Sequence, residues 1–288
     1  MRALAQFVMR GPLQAGGVAA VTTALPFMFW IGAAVVGLVI LRLGLVQGLS
    51  VGIWALLPAL AWSWVGQDPT ALAVLLHVVL MCTLLRSTLS WERALVAGSS
   101  LALVTGLVIP ALFPELLDQL VGAGVSFYEQ YNAELARELG TQLEVAIRNI
   151  MNASLAGTFL ACSVGIAMLA RYWQAALYNP GGFRQEFHSF RLTPVTASIC
   201  GVAIILVPVT GFNPVLIAWV AGLPLFVAAV ALVHGVVGLK GKGSFWLVIF
   251  YGALVLMGPT IMLLLLVLAF VDSWLDFRGR VKSSGPAE

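Results

Sequence analysis

From Ser244 to Val271 the chain carries no charged side chain, and from Leu192 to Leu239 it has no Asp, Glu, Lys or Arg and a single histidine, His234. An α-helix rises about 1.5 Å per residue, so roughly 20 apolar residues cross the ~30 Å hydrocarbon layer of a bilayer. Runs of that order recur along the whole sequence, separated by short polar links. With 61% hydrophobic and 9% charged residues, against about 25% charged in soluble proteins, no water-facing fold could hide this much apolar surface. In hydrocarbon each backbone N–H and C=O needs a partner within the chain, and a helix supplies both. The expectation is an all-α, polytopic transmembrane bundle of about eight to ten membrane-crossing segments, forming a single integral membrane domain over residues 1–288.

Several segments carry local signals. Residues 12–41 are two apolar halves split by Pro26, predicting a kinked helix or a tight hairpin. Gly44, Gly48 and Gly52 recur every fourth residue, a spacing that places small residues on one helical face for close packing. Trp62 and Trp64 read as interfacial anchors before the turn at 66–70, and the basic link from Arg86 to Arg93 follows the next span. The stretch 244–271 is long for one untilted crossing and is interrupted by Gly258-Pro259, so it reads as a hairpin. Cys82, Cys162 and Cys200 lie in apolar runs without metal or redox spacing and read as packing residues. No cleavable leader is evident after Arg2 and Arg10.

Residues 114–148 break the pattern. They hold Glu115, Asp118, Glu129, Glu134, Glu138 and Glu144 against only Arg137 and Arg148. Phe127, Tyr131, Leu135, Leu139 and Leu143 recur near helical spacing, predicting an extracytoplasmic amphipathic helix along the membrane face or packed on the protein's own spans. If both split segments are hairpins, every Lys and Arg except Arg137 and Arg148 falls on one side, which the positive-inside preference makes cytoplasmic. The net charge of +3 then records topology and gives no reason to expect nucleic acid as a partner.

The chemistry concentrates in residues 171–192, RYWQAALYNPGGFRQEFHSFRL, expected as a cytoplasmic loop after a span over 149–171. Asn179-Pro180-Gly181-Gly182 is a turn signal, since Pro presets φ and Gly accepts positive φ. Arg171, Trp173, Asn179, Arg184, His188 and Arg191 are candidate contacts for a partner or an anion, while the same composition would also suit lipid phosphates and the headgroup layer. Asp272, Asp276 and Arg278 stand where acids oppose the helix dipole, which suggests a clasp with Arg278 or with the loop arginines. Inside the spans, His77 and Asn152 are the candidate polar sites, each with an interhelical packing role as the alternative. No spaced nucleophile, base or metal-ligand set is present, and no nucleotide-binding loop. The expectation is a non-enzymatic protein without a cofactor, so that any ATP hydrolysis would come from another chain.

Three stretches, the RYWQAALYNPGGF loop, LRLGLVQG at 41–48 and the closing DSWLDFRGR, resemble those of the YybS-like family of bacterial inner-membrane proteins. The resemblance spans most of the chain. That family is grouped by remote similarity with the substrate-binding membrane subunits of energy-coupling-factor transporters. It therefore implies a multi-pass protein of the bacterial inner membrane, surrounded by lipid, that binds a small solute and works with other membrane or ATPase subunits. The acidic 114–148 insertion departs from those subunits, and no substrate residue transfers. A membrane scaffold without a transported solute is the competing expectation.

Overall fold

The computed structural model describes residues 2–283, so residues 284–288 of the polar tail expected over 272–288 lie outside the described residues. Among the described residues the chain is helical with no strand. It folds as two compact units, residues up to 178 with 212–220, and residues 179–211 with 221 onward.

The first unit runs through α1 (Arg2–Val8), α2 (Pro12–Ala24), α3 (Phe29–Leu43), α4 (Leu45–Val65), α5 (Thr70–Thr88), α6 (Trp91–Leu112), α7 (Pro114–Tyr131), α8 (Ala133–Leu139) and α9 (Thr141–Tyr178). The second contains α10 (Gly182–Ser189), α11 (Pro194–Thr210), most of α12 (Pro214–Leu239), α13 (Phe245–Leu275) and α14 (Phe277–Ser283). By length and composition six helices, α4, α5, α6, α9, α12 and α13, pass as membrane-crossing, α13 with a break inside it at Gly258, and α10 with α11, bent by 60°, gives a seventh when counted together.

This is fewer than the eight to ten segments expected, and the difference lies at the split segments. Residues 12–41 form the hairpin α2–α3, whose arms of 13 and 15 residues reach only about 20 to 23 Å at 1.5 Å per residue, short of a crossing. The turn between them places Phe27 at φ 59°. The α3 helix is apolar on every side, and it is buried from Gly32 through Leu41, as an all-round apolar helix must be at the centre of a bundle. It packs against α2, α4, α5 and α9.

In lipid, apolar burial gives no driving force between helices, so close backbone approach and hydrogen bonds carry the packing. At Gly37 of α3 a Cβ would lie 3.0 Å from both Ala170 of α9 and Cys82 of α5. Gly48 and Gly52 of α4 face Ile40 and Val36 of α3. Gly44 has a different role from the one its spacing suggested: it is the α3–α4 turn, at φ 104°. At the end of α3 the Leu41 carbonyl accepts from Arg86 Nη1 at 2.6 Å and from Gln174 Nε2 at 3.4 Å, which satisfies a carbonyl left without an intrahelical partner.

The acidic stretch is a helical hairpin and packs on its own chain. Leu117 and Val121 of α7, Ala136 of α8, and Leu143 and Ile147 of α9 form one apolar cluster, joined by Val125, Tyr128, Leu139 and Met151. Arg148 bonds Asp118 at 2.7 Å and Glu144 at 3.2 Å. The packed stripe of α7 is thus Leu117, Val121, Val125 and Tyr128. Phe127 and Tyr131, expected on the apolar face, are 63% and 72% exposed and lean on each other with centroids 4.6 Å apart. Leu117, Val121 and Tyr128 share a face at 100° per residue, and Phe127 stands one residue, or 100°, away from it.

In the second unit α11 carries an exposed apolar stripe of Val195, Ile199, Val202, Ile205 and Val209, a surface that water would not tolerate and lipid solvates. The α13 helix is not a straight rod. Gly258, at φ 38° and ψ −111°, breaks it. Before the break the Tyr251 hydroxyl lies 2.8 Å from His234 Nε2 of α12; after it, Arg278 lies against Gly235, the next residue of α12. A straight helix would separate positions 251 and 278 by about 40 Å, so the chain bends back at Gly258-Pro259. The protein is a multi-pass integral membrane protein built from helices.

Candidate functional site

The residues expected as a loop at 171–192 are mostly helix. The α9 helix continues through Tyr178, because Arg171, Tyr172, Trp173 and Gln174 are compatible with helix although they end the apolar run. The turn comes where the glycines and proline require it: the Asn179 carbonyl accepts from Gly182 N at 2.9 Å, and Gly181 takes φ 87°, a left-handed conformation open to glycine. The short α10 follows, with Arg184 and His188 four residues apart on one face.

Two glycines of α12 make room for α10. A Cβ on Gly235 would stand 2.5 Å from the His188 carbonyl oxygen, and one on Gly238 would stand 2.8 Å from His188 Nδ1. The ring of His234 meets Phe187 edge-on at 5.5 Å and lies 6.1 Å from the His188 ring. Burial, reinforced by the charge of Arg184, pushes the His188 imidazole below its ordinary pKa.

The end of α10 is tied to the start of α14 by a buried cation. Arg278 donates through Nη1 to the carbonyls of His188 at 3.0 Å and Phe190 at 2.7 Å, and through Nη2 to Asp272 at 2.8 Å. The second Asp272 oxygen accepts from Phe277 N at 2.9 Å. The pair is almost closed to solvent, with side chains 8% and 3% exposed, and both carboxylate oxygens and both terminal guanidinium nitrogens are hydrogen-bonded, the kind of compensation a buried pair requires. Arg191 approaches Asp276 at 3.5 Å and the Asp272 carbonyl at 3.4 Å. Asp272, Asp276, Arg278 and Arg191 therefore meet at one place, the grouping that the clasp reading named.

Beside this clasp lies a cavity of about 740 Å³, lined by Arg184, Gln185, His188 and Ser189 of α10, by Arg191, by Gly235, Gly238 and Leu239 of α12, and by Asp276, Arg278 and Gly279. Asp272 and Asp276 answer Arg278 and Arg191, whereas Arg184, exposed on α10, has no carboxylate partner among the described residues. The walls offer guanidinium, amide, hydroxyl and imidazole donors and only one carboxylate. That inventory suits an anion.

The remaining candidates lie elsewhere. Arg171 and Trp173 belong to the first unit, where Arg171 bonds Gln174 and Trp173 is fully buried. Trp173 is therefore not a surface contact. Asn179 supports the turn. His77 is fully buried on α5, with Nδ1 2.8 Å from the Ala73 carbonyl and Nε2 without a hydrogen-bond partner. Asn152 links α9 to α6 through Nδ2 and the Gly106 carbonyl at 2.8 Å, the interhelical role its alternative reading described. Gly235 and Gly238 escaped notice in the sequence, since glycines at a span end read as an ordinary flexible link. Among the described residues no group of His, Cys, Asp and Glu could hold a metal ion. No protein-family model, no curated protein and no solved structure matches the chain.

Proposed function

We propose that this protein is a non-catalytic, solute-binding subunit of a bacterial inner-membrane transport system, with its binding locus in the cavity beside α10. The observation that carries the reading is the convergence of Arg184, His188, Arg191 and Arg278 on a cavity of about 740 Å³, within the ~300–1,000 Å³ range of small-molecule sites. The positive-inside preference puts this cavity on the cytoplasmic side. The chain has no nucleotide-binding loop, so energy would come from a partner ATPase. The sequence resemblance to the YybS-like family, and through it to transporter substrate subunits, supports the same reading.

Binding to the native state alone raises its apparent stability. Purified protein in detergent, melted against a panel of sugars, amino acids, cations and phosphate compounds, is expected to gain Tm with at least one member. Arg184→Ala abolishes that gain. A panel without effect on the wild type, or a gain indifferent to Arg184, contradicts the assignment. The second reading, a scaffold, draws on the exposed Phe127–Tyr131 pair of the acidic hairpin. It predicts that Phe127→Ser with Tyr131→Ser loses crosslinked membrane partners while ligand stabilisation is absent throughout.

A further inference from the structure

The two ion pairs at the cavity differ in kind. Asp272 and Arg278 are buried at 2.8 Å and share six residues of chain, which makes them a fixed frame. Arg191 and Asp276 are 3.5 Å apart, with side chains 35% and 50% exposed, and an exposed pair at that distance contributes little. Arg191 is thus held loosely, at the wall of a cavity where Arg184 has no carboxylate at all. Asp276 is independently anchored: its backbone is left-handed, φ 46°, and its Oδ1 accepts from Gly279 N at 3.1 Å, so it would keep its place if Arg191 left it.

We infer that the cavity takes a phosphate group on Arg184 and Arg191, and that Asp276 occupies the anion position of Arg191 until the phosphate displaces it. The inference rests on the reading of this cavity as the ligand site and adds the chemical class of the ligand. A monocarboxylate would exchange one carboxylate for another at Arg191 with small gain. A tetrahedral dianion adds charge and further acceptor oxygens, and so engages Arg184 as well. The His188 ring and the Gln185 amide add N–H donors on the same helix. Asp276 then serves as an internal competitor, keeping Arg191 oriented in the empty state and setting a threshold for weak anions.

The test uses the full chain in detergent and in nanodiscs. Binding of inorganic phosphate is measured directly, and binding of a phosphate headgroup is measured with phosphatidic acid in phosphatidylcholine nanodiscs, which separates a soluble ligand from a lipid. Arg184→Ala and Arg191→Ala are each expected to weaken binding about tenfold or more, the scale of one charge-assisted hydrogen bond. Asp276→Asn keeps the turn and the left-handed backbone while removing the competing charge, and is expected to tighten binding about threefold. A structural role alone would instead make Asp276→Asn weaken binding along with the arginine variants, and that result overturns the inference. So does phosphate binding that ignores both arginines, or wild-type protein that binds neither probe. If neither phosphate probe binds while an uncharged solute stabilises the wild type and not Arg184→Ala, the solute-binding reading stands and the phosphate assignment falls.

Discussion

With one terminal nitrogen on Asp272 and the other on the carbonyls of His188 and Phe190, Arg278 connects the end of α10 to the α13–α14 turn through a single side chain. Removing it leaves Asp272 buried without a cation, a loss of about 3–5 kcal/mol. Arg278→Ala is therefore expected to lower the thermal midpoint in detergent sharply. Arg278→Lys recovers little of it, because one ammonium cannot reproduce the planar fork that spans a carboxylate and two carbonyls. Arg191→Ala, which removes a half-exposed pair, should cost no more than about 1 kcal/mol of stability and so leave the midpoint close to that of wild type. Equal midpoints for Arg278→Ala and wild type would contradict the assigned frame. The same distinction explains why the clasp was legible from the sequence at the level of residue type but not of role. Acids at a helix C-terminus call for a cation, yet nothing in residues 272–278 tells which arginine is buried and which is exchangeable.

At the scale of elements, packing depends on where glycine sits. Gly48 faces the Ile40 side chain and backbone of α3 across the α3–α4 contact, so Gly48→Leu forces the helices apart, at a cost of about 1–3 kcal/mol or more. Gly17→Leu on α2, where a side chain would meet nothing within 4 Å, is the control. Thermal unfolding in detergent should separate the two, and a Gly48→Leu protein as stable as the control would refute the α3–α4 packing. The turn at 179–182 was readable because Pro and Gly act through local φ preferences. The length of α9 was not: hydropathy falls at Arg171, while the helix needs only residues that tolerate it and runs on to Tyr178. The α7 stripe was displaced for a related reason. Large aromatics at 127 and 131 dominate an apolar count, but the partner surface on α9 selects Leu117, Val121 and Tyr128. Short buried α3 defied a count of crossings because its residues are as apolar as a spanning helix and only its length, 15 residues, gives it away.

At the scale of the whole molecule, the composition that demanded a bilayer also distributes the charge. Within the first unit the acidic hairpin of α7, α8 and the start of α9 sets six carboxylates against Arg137 and Arg148 alone. The α9 helix, 38 residues or about 57 Å long, exceeds the hydrocarbon layer, so its early turns are free to build that hairpin beyond the bilayer. The class of protein was thus legible in hydropathy alone, whereas the cavity was not, since it is assembled from residues as far apart in sequence as Arg184, Gly235 and Arg278. On the proposed function this cavity holds a small solute in the cell. Native mass spectrometry of the protein extracted directly from its own membrane tests this most directly. A small-molecule adduct is expected on the wild type and absent from Arg184→Ala/Arg191→Ala purified identically. Identical spectra for the two proteins, adduct-free or with the same lipids on both, would contradict it.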